Sequence, residues 1–131
     1  MNHLSALVTL LTVLLLAGCM FAVGRARVKY AIKAPATSGH PAFERAYRVQ
    51  MNTLEGTMMF LPTLWLATLY GFGGWAGVAG LVWVAGRIWY ALAYVRDPAK
   101  REAGFAIGSL AWLVLLLMAA YGVGRAMWLA V

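Results

Sequence analysis

The sequence contains few charges, very few acids and a single cysteine. Of its 131 residues, 11% are charged, four are acidic and only Cys19 is a cysteine. A soluble domain usually has about a quarter of its residues charged, so this chain lacks the polar cover of a water-soluble protein. One cysteine cannot form a disulfide within the chain. The sequence also lacks a metal-ligand cluster, a phosphate-binding loop and a serine triad, so we expect no metal site.

The residues that are present are those of a membrane protein. Hydrophobic residues make up 63% of the chain, and they fall into four runs, at about residues 4–23, 42–70, 75–94 and 98–129. Each run reaches the roughly 20 residues that a helix needs to cross about 30 Å of hydrocarbon. Short connections between such helices imply antiparallel neighbours. We therefore predict one all-α integral membrane domain over residues 1–131, folded as a four-helix up-down bundle.

Helix-breaking residues separate the four runs. Residues 25–41 carry prolines and small polar residues, which predicts a loop. Between the second and third runs, three glycines predict a tight turn: Gly71, Gly73 and Gly74. Asp97 and Pro98 are residue types that begin a helix, which favours a new helix after the third run. Pro62 predicts a kink in the middle of the second helix.

Basic residues predict how the bundle lies in the membrane. The formal net charge is +7, and nearly all the basic residues lie at one end of a four-span arrangement. These residues are Arg25, Arg27, Lys29, Lys33, Arg45, Arg48, Arg96, Lys100 and Arg101. Because Lys and Arg beside membrane spans favour the cytoplasmic side, both termini are predicted to lie outside. The basic residues sit in short breaks between apolar runs, so nucleic-acid binding is not expected.

A lipoprotein signal is the alternative interpretation of the first run. Residues 16–19, Leu-Ala-Gly-Cys, resemble the cleavage site of bacterial lipoproteins, in which the cysteine carries the lipid. Such a signal has positive charge before its apolar region. Here the basic cluster comes after the apolar run, which continues past Cys19 to Val23. These observations favour an uncleaved membrane span.

Polar residues in the second and third runs indicate a binding site inside the bundle. Four residues of the second run fall within an arc of about 80° at about 100° per residue: Arg45, Arg48, Asn52 and Glu55. Gln50 points the opposite way. Glu55 lies about 20 Å along the helix from its start, where a charge costs about 2.5–3.5 kcal/mol unless it has a partner or a function.

A second polar stripe faces the same membrane side. Arg87, Tyr90 and Tyr94 share one face of the third helix, and Arg101 follows in the first turn of the fourth. Internal ion pairs of Glu55 with Arg87 or Arg48 are one explanation, with the tyrosines as interface anchors. However, one acid cannot neutralise several inward-facing arginines, so the surplus positive charge favours a small anionic ligand whose ammonium group Glu55 could bind.

The two stripes resemble those of the MAPEG family of membrane proteins in eicosanoid and glutathione metabolism. The match is the run from Phe43 to Glu55, with the spacing Arg-x-x-Arg-x-Gln-x-Asn-x-x-Glu. A second match begins in the third run and extends into the fourth, with Gly80, Leu81, Val82, Arg87, Tyr90, Tyr94, Arg96 and Arg101. The resemblance covers about residues 25–104. It implies a homotrimer of four-helix subunits that binds glutathione between neighbouring subunits near the cytoplasmic face.

The resemblance also implies roles for the matched residues. Glutathione would be bound by one set from a single subunit: Arg48, Asn52, Glu55, Tyr90 and Tyr94, with Arg87 in the same pocket. Arg27 and Gln50 would reach it from the adjacent subunit. Arg101 would stabilise the glutathione thiolate and is the predicted catalytic residue. Gly56 is a departure, because leukotriene-forming members of the family have a tyrosine there, which puts that specific activity in doubt.

These observations predict a membrane-embedded glutathione transferase that attacks lipophilic electrophiles arriving from the lipid, with glutathione as its co-substrate. Peroxidase activity is left open. The alternatives are a non-catalytic lipid-binding relative and an isomerase that returns glutathione unconsumed. Tryptophans could line a lipophilic groove, although aromatic residues in membrane helices mostly pack or anchor.

Overall fold

The computed structural model describes residues 2–131 and shows an all-helical chain over that range. Its four long α-helices are α1 (His3–Tyr30), α2 (Pro41–Ala67), α3 (Gly73–Arg96) and α4 (Glu102–Ala130). A turn within Thr68–Phe72, where Tyr70 and Gly71 have non-helical backbone angles, joins α2 to α3, and a short 3-10 helix, Pro98–Lys100, precedes α4. Residues 31–40 form the loop between α1 and α2.

The helices are long and apolar, as a membrane protein requires. Within residues 2–131, three helical stretches are long and apolar enough to cross a membrane, with α2, the turn and α3 taken together as one stretch. The stretches are His3–Tyr30, Pro41–Arg96 and Pro98–Ala130. The prediction of an all-α fold with long apolar helices is therefore confirmed.

Helices that are consecutive in the chain pack antiparallel. At one end of the pair α1–α2, the Ser5 and Thr68 hydroxyl oxygens are 2.7 Å apart, and Cys19, farther along α1, packs in a cluster with Val49, near the start of α2. Between α2 and α3, the rings of Phe60 and Trp83 stack with their centroids 3.8 Å apart. This order brings the end of α1, the start of α2, the end of α3 and the start of α4 to the same, basic end.

Close contact between α3 and α4 depends on glycines. A Cβ atom at Gly86 would lie 2.8 Å from the backbone nitrogen of Gly108, and one at Gly104 would lie 2.8 Å from Cα of Tyr90. Real Cβ atoms do not approach other atoms so closely, so the two backbones can touch only because these side chains are absent. Small residues allow the same close approach in other membrane helix pairs.

The first helix is longer than the sequence predicts, whereas the turn predicted between the second and third helices is present. Helix α1 continues to Tyr30, so Arg25, Arg27 and Lys29 lie on its last turns and not in a loop. The chain reverses direction at Tyr70 and Gly71, which have non-helical backbone angles, so a turn does lie in the glycine-rich connection. Of its three glycines only Gly71 has a positive φ, of 113°, and Gly73 and Gly74 begin α3. Helix α2 includes Pro62, and the kink expected there stays a prediction.

Candidate functional site

The polar face of α2 borders a cavity at the basic end of the bundle. We call this space the polar cavity; its volume is about 390 Å³. It falls within the range of about 300–1,000 Å³ that is usual for ligand sites. Helices α2, α3 and α4 all contribute to its wall, which is lined by Arg48, Met51, Asn52, Glu55, Tyr90, Tyr94, Arg101 and Phe105. Six of these eight residues were predicted from the sequence.

Arg87 lies behind this wall and fixes the orientation of Asn52. Its side chain is only 4% exposed. Its Nη2 donates hydrogen bonds to Oδ1 of Asn52, at 2.8 Å, and to the Thr53 hydroxyl, at 2.9 Å. Because the Asn52 carbonyl oxygen accepts from Arg87, the Asn52 amide NH₂ group remains available as a donor to the polar cavity. The structure thus places Arg87 next to a ligand-facing residue and not in the lining of the polar cavity.

Aromatic rings continue from Arg87 towards the basic end. The Arg87 guanidinium lies 4.2 Å from the ring centroid of Tyr90. The Tyr90 ring packs against Tyr94, at 5.6 Å between centroids, and against Phe105, at 6.1 Å. Arg101 lies 5.6 Å from the Tyr94 ring centroid. These contacts hold both tyrosines in place between two cations, which is a favourable arrangement for aromatic faces.

The polar cavity keeps its surplus of positive charge. Within residues 2–131, Glu55 forms no ion pair with Arg48, Arg87 or any other base at 4.0 Å or less. Arg101 donates to the Pro98 carbonyl at 3.1 Å, a neutral acceptor. The alternative in which internal ion pairs satisfy the arginines therefore finds no support in these contacts. Two cations and one separate carboxylate can receive a ligand with anionic groups and an ammonium group.

Arg27 and Gln50 lie away from the polar cavity of their own chain. Arg27 donates to the Ala36 carbonyl at 2.7 Å and lies 4.8 Å from the ring centroid of Phe43. Gln50 is half-buried on the opposite side of α2 from Arg48. A single chain does not bring these two residues together with the other predicted site residues. Contact with the same ligand would need a second chain.

Two lining residues were missed in the sequence, although the helical spacing could have found them. Met51 follows Arg48 by three positions and precedes Glu55 by four, so it lies on the polar face. Phe105 follows Arg101 by four positions on the fourth helix and therefore faces the same side. Both are apolar, and a search for charged and hydrogen-bonding residues passes over them.

Comparison with known sequences shows which family has this arrangement. The sequence model of the MAPEG family matches residues 5–121. The chain belongs to the MAPEG family. This match covers most of the chain, so it extends well beyond the region that carries the polar stripes.

Several curated MAPEG relatives are similar over most of the chain. An uncharacterized protein of Synechocystis is 46% identical over 112 residues, which are 86% of this chain and 82% of the relative. Leukotriene C4 synthase of Cavia porcellus is 43% identical over 115 residues, 87% of this chain and 77% of the relative. Microsomal glutathione S-transferase 2 of Homo sapiens is 43% identical over 96 residues, 72% of this chain and 65% of the relative.

Proposed function

We propose that this protein is a membrane glutathione transferase that binds glutathione in the polar cavity and activates its thiol for attack on lipophilic electrophiles. The observation that carries the proposal is the unpaired charge of that cavity, where Arg48, Arg101 and Glu55 meet without an ion pair between them. The names of the leukotriene C4 synthase and glutathione S-transferase relatives support the same ligand. Peroxidase activity would use the same thiolate.

The chemistry of glutathione matches the groups in the polar cavity. Glutathione has two carboxylates, one ammonium group and one thiol. Arginine binds carboxylates through paired hydrogen bonds, the Asn52 amide can donate to a carboxylate, and Glu55 can accept from the ammonium group. The Tyr90 and Tyr94 hydroxyls add further donors. Under this proposal Arg87 acts indirectly, because it orients Asn52.

Arg101 is the proposed catalytic residue. A free thiol ionises at about pH 8.5, so little thiolate exists at pH 7. A cation beside sulfur favours the thiolate, and lowering the thiol pKa by about two units requires about 2.7 kcal/mol. Arginine stays protonated and cannot accept the proton, so the proton leaves to water. The thiolate then attacks the electrophile and forms the new C–S bond.

We also propose a homotrimer of four-span subunits with both termini on the non-cytoplasmic side. The positions of Arg27 and Gln50, away from the polar cavity of their own chain, support a shared site in which a neighbouring subunit supplies these two residues. Clustering of the basic residues at one end supports the orientation.

Glutathione binding tests the proposed function directly. Purified protein in detergent is titrated with glutathione at pH 7, and the ultraviolet absorption of the thiolate is followed. The expected result is saturable formation of bound thiolate in the wild type and its loss in Arg101→Ala. Absence of bound thiolate in the wild type would contradict the proposal. Conjugation is measured in parallel with a simple aryl halide, and consumption of glutathione separates a transferase from an isomerase.

Mixed assemblies test the shared site. Arg27→Ala and Arg48→Ala are each expected to bind glutathione poorly when expressed alone. When the two are co-expressed, some interfaces combine an intact Arg27 from one subunit with an intact Arg48 from the other, and these sites should recover binding. No recovery in assemblies shown to contain both variants would contradict the shared site, while leaving the glutathione cavity itself untouched.

A further inference from the structure

A second cavity lies beside the polar cavity, farther from the basic end of the bundle. We call it the inner cavity; its volume is about 200 Å³, and it shares Asn52, Glu55 and Phe105 with the polar cavity. Gly56 and Trp112 belong only to the inner one. Gly56 lies eight residues beyond Arg48 on α2, which is about 12 Å farther along the helix axis. A small molecule in the inner cavity would therefore adjoin a ligand in the polar cavity.

Gly56 has no side chain to occupy the inner cavity that it lines. A Cβ atom at this position would meet only the Trp83 ring, at an ordinary distance of 3.7 Å. A larger side chain at this position would extend into the space that the cavity occupies.

The largely apolar wall of the inner cavity contains two buried N–H groups without partners. These are Nε of Arg87 and Nε1 of Trp112, and neither has a hydrogen-bond acceptor within residues 2–131. The hydroxyl of Ser109, an exposed residue of the same wall, can donate a further hydrogen bond. An N–H group buried without an acceptor carries a free-energy cost that a ligand oxygen can remove.

We propose that the inner cavity binds the electrophile and selects compact α,β-unsaturated carbonyl compounds. The carbonyl oxygen accepts hydrogen bonds from Trp112, Ser109 and Arg87, while the carbon to be attacked faces the polar cavity. Nε of Arg87 and Nε1 of Trp112 are both covered by other atoms when the cavity is empty. A small rotation of the half-buried Trp112 ring therefore accompanies binding and gives the carbonyl oxygen access to these N–H groups. This inference rests on the proposed function, because the glutathione sulfur has to lie in the polar cavity.

The reaction balances without a further reactant. The thiolate sulfur attacks the β-carbon and forms a C–S bond, while the electron pair of the C=C bond moves to give an enolate. The α-carbon then takes up one proton from water, equal to the one that the thiol released, so that S–H has added across C=C. Negative charge grows on the carbonyl oxygen during the attack. Once the substrate is bound, donors around that oxygen stabilise the transition state more than the ground state.

The test compares two electrophiles in Trp112→Phe. One is an aryl vinyl ketone, and the other is a benzyl chloride of similar size, which has no oxygen to receive the N–H. Loss of one such donor costs about 10²–10³ in rate at a well-formed oxyanion site, so we expect kcat/KM for the ketone to fall at least about tenfold. The benzyl chloride rate should change less than about twofold. Trp89→Phe is the matched control, because Trp89 is exposed and lies outside this cavity.

Two results would overturn the inner-cavity assignment. One is an unchanged ketone rate in Trp112→Phe, and the other is an equal loss with both electrophiles, which would mean that the ring acts by packing alone. The thiolate titration separates this failure from failure of the proposed function. If bound thiolate forms normally, only the electrophile site is wrong; if the wild type forms no thiolate, both proposals fall.

Filling the cavity gives an independent measurement. Gly56→Ala fits the available space, whereas Gly56→Leu extends into the inner cavity. We expect Gly56→Leu to lower the ketone rate at least about tenfold with little change in the glutathione titration, and Gly56→Ala to have a small effect on either. Gly124→Leu is the control, because a Cβ at Gly124 meets nothing within 4 Å. A Gly56→Leu variant that binds glutathione and reacts with the ketone at the wild-type rate would overturn the assignment.

Discussion

Replacement of Arg101 by alanine should raise the pH at which bound glutathione ionises, with little effect on the fold. Arg101 is exposed, and its one side-chain hydrogen bond within residues 2–131 goes to the Pro98 carbonyl. Surface substitutions of this kind usually change the free energy of unfolding by less than about 0.5 kcal/mol. An effect on the chemistry can therefore be separated from an effect on stability.

The magnitude follows from the ionisation of the thiol. With a pKa of about 8.5, about 3% of the thiol is ionised at pH 7, and with a pKa of about 6.5 the fraction is about 75%. Loss of Arg101 should thus lower the thiolate content of the bound state about 25-fold at pH 7. By linkage, the affinity for glutathione at the same pH should fall only about fourfold. The conjugation rate should fall by no more than the same factor of about 25. The fall is smaller than this because a thiolate whose thiol has a higher pKa is a stronger nucleophile.

A pH titration of the bound thiolate is the decisive assay. The midpoint should rise by about two units in Arg101→Ala, and the difference from the wild type should disappear above about pH 10, where both are ionised. Lys100→Ala is the matched control, because Lys100 is the neighbouring exposed base and does not line the polar cavity. An unchanged midpoint in Arg101→Ala, with glutathione still bound, would refute the role given to Arg101.

Three further predictions concern other parts of the site and the fold. Arg87→Met should weaken glutathione binding about tenfold or more, because Asn52 loses the partner that orients it, while exposed Arg96→Met should not; calorimetry of the two variants compares them. Glu55→Gln should weaken binding of glutathione but not of an analogue without the α-amino group, and equal losses for both ligands would contradict the assigned contact. Gly104→Leu should lower the free energy of unfolding, measured by thermal unfolding in detergent, by about 1–3 kcal/mol or more, the usual range for overpacking. Gly124→Ala should not, since a Cβ there has free space.

The long helices and the polar face of α2 could be predicted from sequence because both depend on local spacing. Arg48, Asn52 and Glu55 recur at intervals of three or four residues, which places them on one side of any α-helix. Their meeting with Tyr90 and Tyr94 could be expected once consecutive spans were taken as antiparallel. These parts of the site needed no knowledge of side-chain packing.

Contacts between helices could not be predicted from the local spacing of residues. Residues 25–30, the start of the predicted loop, are the last turns of α1, because the basic residues that suggested a loop are also good helix formers at the end of a span. The role of Arg87 depends on which atoms of Asn52 and Thr53 lie within 3 Å of it. The inner cavity depends on the absence of side-chain atoms at Gly56, and an absence gives no periodic signal.

The buried charge of Arg87 orients a residue of the site and does not serve stability alone. A guanidinium that is 4% exposed is costly inside a membrane protein, and Nη2 finds only neutral acceptors, Asn52 and Thr53. Apolar replacement of a buried charge often costs little stability, so stability alone does not explain an arginine here. The arginine turns the Asn52 amide towards the polar cavity. Its Nε has no acceptor among residues 2–131, and Arg87 also lines the inner cavity. An apolar residue of the same size could preserve the packing of α2 on α3, but it would leave the amide free to turn its oxygen towards an anionic ligand.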